Sequence, residues 1–164
     1  MSEAPAMDDG GARQGPGVGD IAPDFVLSNQ FGEPISLTAL RGNAVAIVFY
    51  PFAFSGICTG ELCELRDNLA EFVDAGVRLL AVSVDSKYTL RAYAEAQDLA
   101  FDLLSDFWPH GEVSRLYGVF DAERGMAGRG TFLIDSAGVI RDAFSTPAGQ
   151  ARPLERYRRA LEQL

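Results

Sequence analysis

Two almost uninterrupted apolar runs constrain this chain more than anything else in it. Residues 44–50 read AVAIVFY and residues 77–84 read VRLLAVSV. Runs of strand length without polar alternation belong to strands covered on both faces. Between them, Leu62, Leu65, Leu69, Phe72 and Val73 recur at helical spacing. That stripe predicts one helix from about Ser55 to Ala75, punctuated by Gly76. Strand, helix and strand in this order form a βαβ unit, and the chain is expected to be α/β.

The rest of the pattern extends that unit. Phe25–Leu27 and Pro34–Leu37 flank the turn Asn29-Gln30-Phe31-Gly32, which predicts an N-terminal hairpin. A helix over Ser86–Leu99 takes Ser86 as its cap. Phe101–Leu104 reads as a short strand and Pro109–Tyr117 as a short helix. Thr131–Asp135 and Val139–Phe144 surround Ser136-Ala137-Gly138 as a second hairpin, and Pro153–Leu164 closes the chain as an amphipathic helix. The expectation is a mixed central sheet flanked by helices, an order that resembles a thioredoxin-like core with an added N-terminal hairpin. Residues 1–17 are rich in Gly, Ala, Pro and Asp and lack an apolar period. They read as a disordered leader, with order beginning near Ile21 and residues 18–164 forming a single domain.

Charge and composition exclude several function classes. With 23 acidic against 14 basic residues and a net charge of −9, a free-standing nucleic-acid binder is not expected. No apolar run approaches the ~20 residues needed to span a bilayer. The lone His110 and the two cysteines do not supply the usual zinc sites, and no glycine-rich phosphate loop is present. Neither a metal nor a cofactor is therefore expected. No signal-peptide pattern is visible, so a reducing cytoplasm is the default, where closely spaced cysteines are more often catalytic than structural.

The chemistry concentrates where the first buried strand meets the helix, in Tyr50-Pro51-Phe52-Ala53-Phe54-Ser55-Gly56-Ile57-Cys58. Cys58 falls in the first turns of that helix, where unpaired amides and the positive end of the dipole favour a thiolate. Pro51 covers one side and removes a donor. Ser55 can reach a thiolate or a substrate oxygen from one turn earlier, and it can equally be a helix cap. Glu61, one turn after Cys58, can hold an arginine in place. Against this stands the plainer reading, in which Cys58 is a small buried hydrophobe on the stripe of Leu62, Leu65 and Leu69.

Pro51, Ser55 and Cys58 fill the pattern P-x-x-x-(T/S)-x-x-C, and in this the chain resembles the peroxiredoxins. The resemblance extends to Glu61 and to Arg129 in Gly128-Arg129-Gly130-Thr131-Phe132-Leu133-Ile134-Asp135, and covers residues 18–164. Ser105-Asp106-Phe107-Trp108-Pro109-His110-Gly111, with Phe54-Ser55-Gly56-Ile57-Cys58, resembles the actinobacterial alkyl hydroperoxide reductase E group. The resemblance implies a thiol peroxidase reducing hydrogen peroxide and organic hydroperoxides in antioxidant defence. Cys58 would be the nucleophile and become a sulfenic acid, with Pro51, Ser55, Glu61 and Arg129 around it. Ser55 stands where most family members carry Thr. A thiol reductant is implied, either thioredoxin or mycothiol with mycoredoxin, and a homodimer.

Alternatives remain at this point. A redox sensor or holdase would use the same oxidation without sustained turnover, whereas thiol–disulfide exchange usually uses C-x-x-C, absent here. His110 reads as a shaper of its loop. Trp108, Phe52, Phe54 and Phe107 form either an apolar collar, part of the core or a subunit interface. Cys63 departs from the one-cysteine pattern of the group. In related Q-type peroxiredoxins a cysteine five residues after the nucleophile can resolve it. On a helix that spacing gives a rise of about 7.5 Å and a rotation of about 140°. The Cα atoms then lie roughly 8–9 Å apart, beyond the ~7 Å reach of a disulfide. A reduced, helical pair is expected at rest, with local unwinding on oxidation.

Overall fold

A computed structural model describes residues 15–164. Most of the expected leader lies outside the described residues. Within them, a Cβ on Gly15 would stand 2.6 Å from the Tyr117 carbonyl oxygen, and Gly19 N donates to Ile140 O at 2.8 Å, so the chain from Gly15 onward lies against the domain.

The N-terminal hairpin forms from β1 (Val26–Ser28) and β2 (Pro34–Ser36). The two apolar runs become β3 (Ala44–Phe49) and β4 (Val77–Ser83), paired in parallel. Between them run α1 (Gly56–Asp67) and α2 (Leu69–Asp74). After β4 come α3 (Lys87–Gln97), β5 (Asp102–Ser105) and α4 (Glu112–Leu116). A small ribbon of β6 (Phe120–Asp121) and β7 (Met126–Ala127) follows, then β8 (Arg129–Ile134), β9 (Ile140–Thr146) and α5 (Leu154–Leu161). The seven-stranded sheet has the order β9-β8-β3-β4-β5-β1-β2. β3, β4 and β5 are parallel at its centre, while β8 runs antiparallel to β3. This is the expected mixed α/β sheet with an added hairpin.

Alternation along β3 shows why its sequence is apolar throughout. Ala46, Val48 and then Tyr50 enter one core cluster with Cys58, Leu62, Leu65 and Tyr93. Val45, Ile47 and Phe49 enter the other, with Val113, Tyr117 and Phe132. Every position on a doubly covered strand is an inside position.

Two local expectations are corrected, and one small element was not foreseen. The single helix over Ser55–Ala75 is two helices, broken at Asn68, whose backbone stands at φ −120° and ψ 20°. Its Nδ2 donates back to Glu64 O at 2.8 Å, and its carbonyl accepts from Glu71 N at 3.1 Å. A short amide that bonds the local backbone competes with the helical ladder. The break also takes Val73 off the apolar stripe and leaves it 64% exposed. The helix expected over Pro109–Tyr117 is confined to α4, because its preceding residues form a loop organised by buried Asp106. That carboxylate accepts from Val113 N, Ser114 N and Ser114 Oγ at 3.0, 2.8 and 2.8 Å. The β6–β7 ribbon has too few residues for a period to show in the sequence. It turns on Asp121, whose Oδ1 accepts from Glu123 N and Arg124 N. Ser86 is the cap that its sequence announces, its Oγ accepting from Thr89 N at 3.2 Å.

Candidate active site

The segment joining β3 to α1 is held from several sides. Tyr50 N donates to Val82 O at 3.0 Å, which keeps the residue after β3 on β4. Ala53 N donates to Asp85 Oδ2 at 2.8 Å, and the same oxygen accepts from Ser83 Oγ at 2.7 Å. Pro51 is buried between these anchors. Phe54 adopts a left-handed backbone (φ 69°), uncommon for an aromatic residue. Its ring rests on Tyr93 with centroids 4.9 Å apart.

Cys58 is the third residue of α1 and is fully buried. Thr59 N, donating to Ser55 O at 2.9 Å, makes the first intrahelical bond, so the amides of Gly56, Ile57 and Cys58 have no acceptor within the helix. Ser55 occupies the N-cap position without capping through its side chain. Its hydroxyl donates instead to Phe52 O at 3.0 Å, which tightens the loop. The cysteine therefore sits beside free donors at the positive end of a helix.

Glu61, one turn on, lies in a buried charge cluster. Its Oε1 accepts from Arg129 Nη1 at 2.7 Å and from Arg152 Nη2 at 2.9 Å. Its Oε2 accepts from Arg152 Nε at 3.0 Å and from the Arg152 amide. Burial pushes the Glu61 carboxyl upward, but hydrogen bonds from Arg152 and the charges of Arg152 and Arg129 outweigh it. The net effect holds the carboxyl below its ordinary range. Arg129 Nε donates to Ala148 O at 2.8 Å. With Nε and Nη1 engaged, Arg129 Nη2 finds no partner among the described residues. That leaves a fixed, charged pair of donors free for an incoming group.

The glycines around Arg129 serve close packing. A Cβ on Gly130 would stand 2.6 Å from Val119 Cγ1, and one on Gly128 would stand 3.3 Å from Val119 O. Arg152 Nη1 closes the network on Gly130 O at 2.9 Å and Thr131 Oγ1 at 3.0 Å. Sequence reading missed Arg152. Its signal was faint: an arginine directly before Pro153, ahead of the amphipathic period of the last helix.

Cys63 lies in α1 as well, half-buried, and both cysteines are free thiols. Its Sγ donates to Gln97 Oε1 at 3.5 Å, while Arg66 Nη1 donates to Gln97 O at 2.6 Å. These bonds dock the middle of α1 on the end of α3. His110 Nε2 lies 2.7 Å from Gly125 O, and its ring meets Phe120 edge-on, consistent with a loop-shaping role. Phe52, Phe54, Phe107 and Trp108 are all exposed, Trp108 by 80%, so the core reading of these aromatics is excluded. No group of three or more potential metal-ligating side chains occurs among the described residues.

Residues 18–143 match the family model described as AhpC/TSA family. The chain belongs to the AhpC/TSA family, the peroxiredoxins. It is 45% identical over 148 residues to alkyl hydroperoxide reductase E of Mycobacterium tuberculosis, covering 90% of this chain and 97% of that protein. It is 41% identical over 133 residues to peroxiredoxin Bcp of Escherichia coli, covering 77% and 83%. Among solved structures, peroxidoxin BcpB of M. tuberculosis superposes with a TM-score of 0.78 at 29% identity, covering 90% of this chain and 95% of that one. The fold is thus that of the peroxiredoxins, which is thioredoxin-like, and this peroxiredoxin is a thiol-dependent peroxidase that reduces hydroperoxides.

Proposed function

We propose that Cys58 is the peroxidatic nucleophile of this peroxiredoxin and that it reduces hydrogen peroxide and organic hydroperoxides. The observation that carries this is the buried cysteine at the free amides of α1, one turn before the carboxylate that fixes Arg129. The thiolate attacks the terminal peroxide oxygen. An S–O bond forms, the O–O bond breaks, and the leaving oxygen takes the electron pair and a proton to depart as water or an alcohol. The free amides and Arg129 Nη2 are donors suited to charge on the moving oxygens, and being fixed they need little reorganisation. Glu61 and Arg152 position Arg129, while Pro51 and Ser55 shape the loop that presents sulfur.

Cys63 is the second thiol of the cycle in this reading. It would attack the Cys58 sulfenic acid, forming the disulfide and releasing water. The helical spacing of the pair requires α1 to unwind and the Cys63–Gln97 and Arg66–Gln97 bonds to part. An external thiol then restores both cysteines, supplied by thioredoxin or by mycothiol with mycoredoxin. The exposed Phe52, Phe54, Ile57, Phe107 and Trp108 support a homodimer packed near the site. A cytoplasmic location accords with this chemistry, and no helix among the described residues is long and apolar enough to cross a membrane.

The decisive variant is Cys58→Ser, nearly isosteric but not ionised at neutral pH. It should retain the circular-dichroism spectrum and lose dithiothreitol-driven peroxide consumption. Continued turnover by that protein would assign the nucleophile elsewhere.

A further inference from the structure

Two buried side-chain polar atoms among the described residues have no hydrogen-bond partner, the phenol oxygens of Tyr50 and Tyr157. Tyr50 is the informative one, because it is fully buried in the same core cluster as Cys58. The alternation of β3, continued one residue past its end, puts the Tyr50 side chain in the cluster where α1 packs, just before the Cys58 loop. Its neighbour Tyr93, with ring centroids 6.5 Å away, is satisfied, donating to Thr59 Oγ1 at 3.0 Å. Ser83 lies near enough to lower the Tyr50 phenol, but no hydrogen bond of sound geometry joins the two. The Ser83 hydroxyl proton is committed to Asp85 Oδ2 at 2.7 Å, and its oxygen accepts from Asp85 N at 3.3 Å.

A buried hydroxyl without a partner is costly, and a phenylalanine would fill the same ring volume without that cost. Burial holds the Tyr50 phenol well above its ordinary pKa; Ser83 works against this, and Asp85, Tyr93 and Cys58 add to it electrostatically. The phenol is therefore a proton-bearing donor at any pH where the enzyme works. The reaction introduces one new polar atom into this cluster, the oxygen transferred to Cys58. With both residues at 0% exposure, that oxygen has little access to water in the closed site.

We infer that Tyr50 donates its unpaired hydroxyl to the oxygen that Cys58 acquires, and so holds the sulfenic acid until a thiol attacks it. This rests on the assignment of Cys58 as nucleophile. The covalent step is the peroxide reduction already written, with the hydroperoxide as oxidant. Tyr50 keeps its proton and adds only a hydrogen bond.

The test uses the Cys63→Ser protein, in which the oxygen cannot leave through an internal disulfide, with and without Tyr50→Phe. Each is melted in reduced form and after one equivalent of hydrogen peroxide, with intact mass confirming a gain of about 16 Da. Oxidation should raise the melting temperature when Tyr50 is present, and that gain should vanish with Tyr50→Phe. The sulfenic acid of the double variant should also be consumed by added thiol about tenfold faster, the scale of one lost hydrogen bond. In reduced form, Tyr50→Phe should melt at or above its parent. Equal oxidative gains in the two proteins would overturn the inference. So would a lower melting temperature of the reduced Tyr50→Phe protein, because the phenol would then be paired at rest. A parent that never gains the oxygen would remove the Cys58 assignment itself, which keeps the two failures distinct.

Discussion

Replacing Glu61 with Gln tests the charge cluster that fixes Arg129. The substitution keeps the side-chain shape and removes one negative charge from a place with almost no solvent, the carboxylate being 1% exposed. Two guanidiniums, themselves 3% and 0% exposed, would lose their shared counter-ion. The Gln amide would also turn an NH₂ group toward Arg donors that now meet a carboxylate oxygen. Breaking a buried pair from one side costs about 3–5 kcal/mol. For a domain of this size that corresponds to a fall in Tm of roughly 6–20 °C. Urea denaturation at pH 7 should show this loss directly. Acid supplies an internal control. Because the folded-state pKa of Glu61 is held below its ordinary value of 4.5, its contribution is complete above that value and lost as pH falls through the folded-state pKa. The stability gap between wild type and Glu61→Gln should therefore close as the pH drops below 4.5. A gap under about 1 kcal/mol at pH 7, the scale of an exposed pair, would refute the reasoning. So would a gap that ignores acid.

Two further expectations concern the chemistry. Arg129→Ala should slow peroxide reduction by about 30- to 1,000-fold, the loss of roughly 2–4 kcal/mol associated with one fixed donor at developing charge. Glu61 keeps Arg152 in that variant, so the fold should survive, and recovery of the wild-type rate at high pH would show that Arg129 contributes nothing beyond forming the thiolate. After one equivalent of peroxide, wild type should lose about 2 Da as a Cys58–Cys63 disulfide, whereas Cys63→Ser should gain about 16 Da. A stable gain of oxygen in both proteins would exclude Cys63 as the resolving thiol and leave the task to an external one.

Local pattern was enough to read much of this protein. The apolar runs of β3 and β4 could be satisfied only by burial on both faces, and Ser86 announced a cap through its own chemistry. Pro51, Ser55 and Cys58 lie within one loop and one helical turn, so their spacing alone placed them together. Glu61 followed from the helical period, one turn after Cys58, where a carboxylate can hold an arginine in place.

Tertiary structure decided the rest. Arg152 joins Glu61 from 91 residues away, and no periodicity connects a residue before the last helix to one in the first. Asn68 breaks a helix whose apolar spacing was continuous, because its side chain found a backbone carbonyl that a pattern of apolar residues does not register. Phe52 and Phe54 have the composition of a core and lie outside it, since the loop is pinned by Asp85 from another strand end. Tyr50 shows the division most plainly. Its ring belongs to the apolar run and is buried as that run requires, while the isolation of its hydroxyl depends on which groups of other elements already hold one another. Burial is a property each residue largely carries in its own chemistry. Pairing is settled only when every competing donor and acceptor has been brought into place.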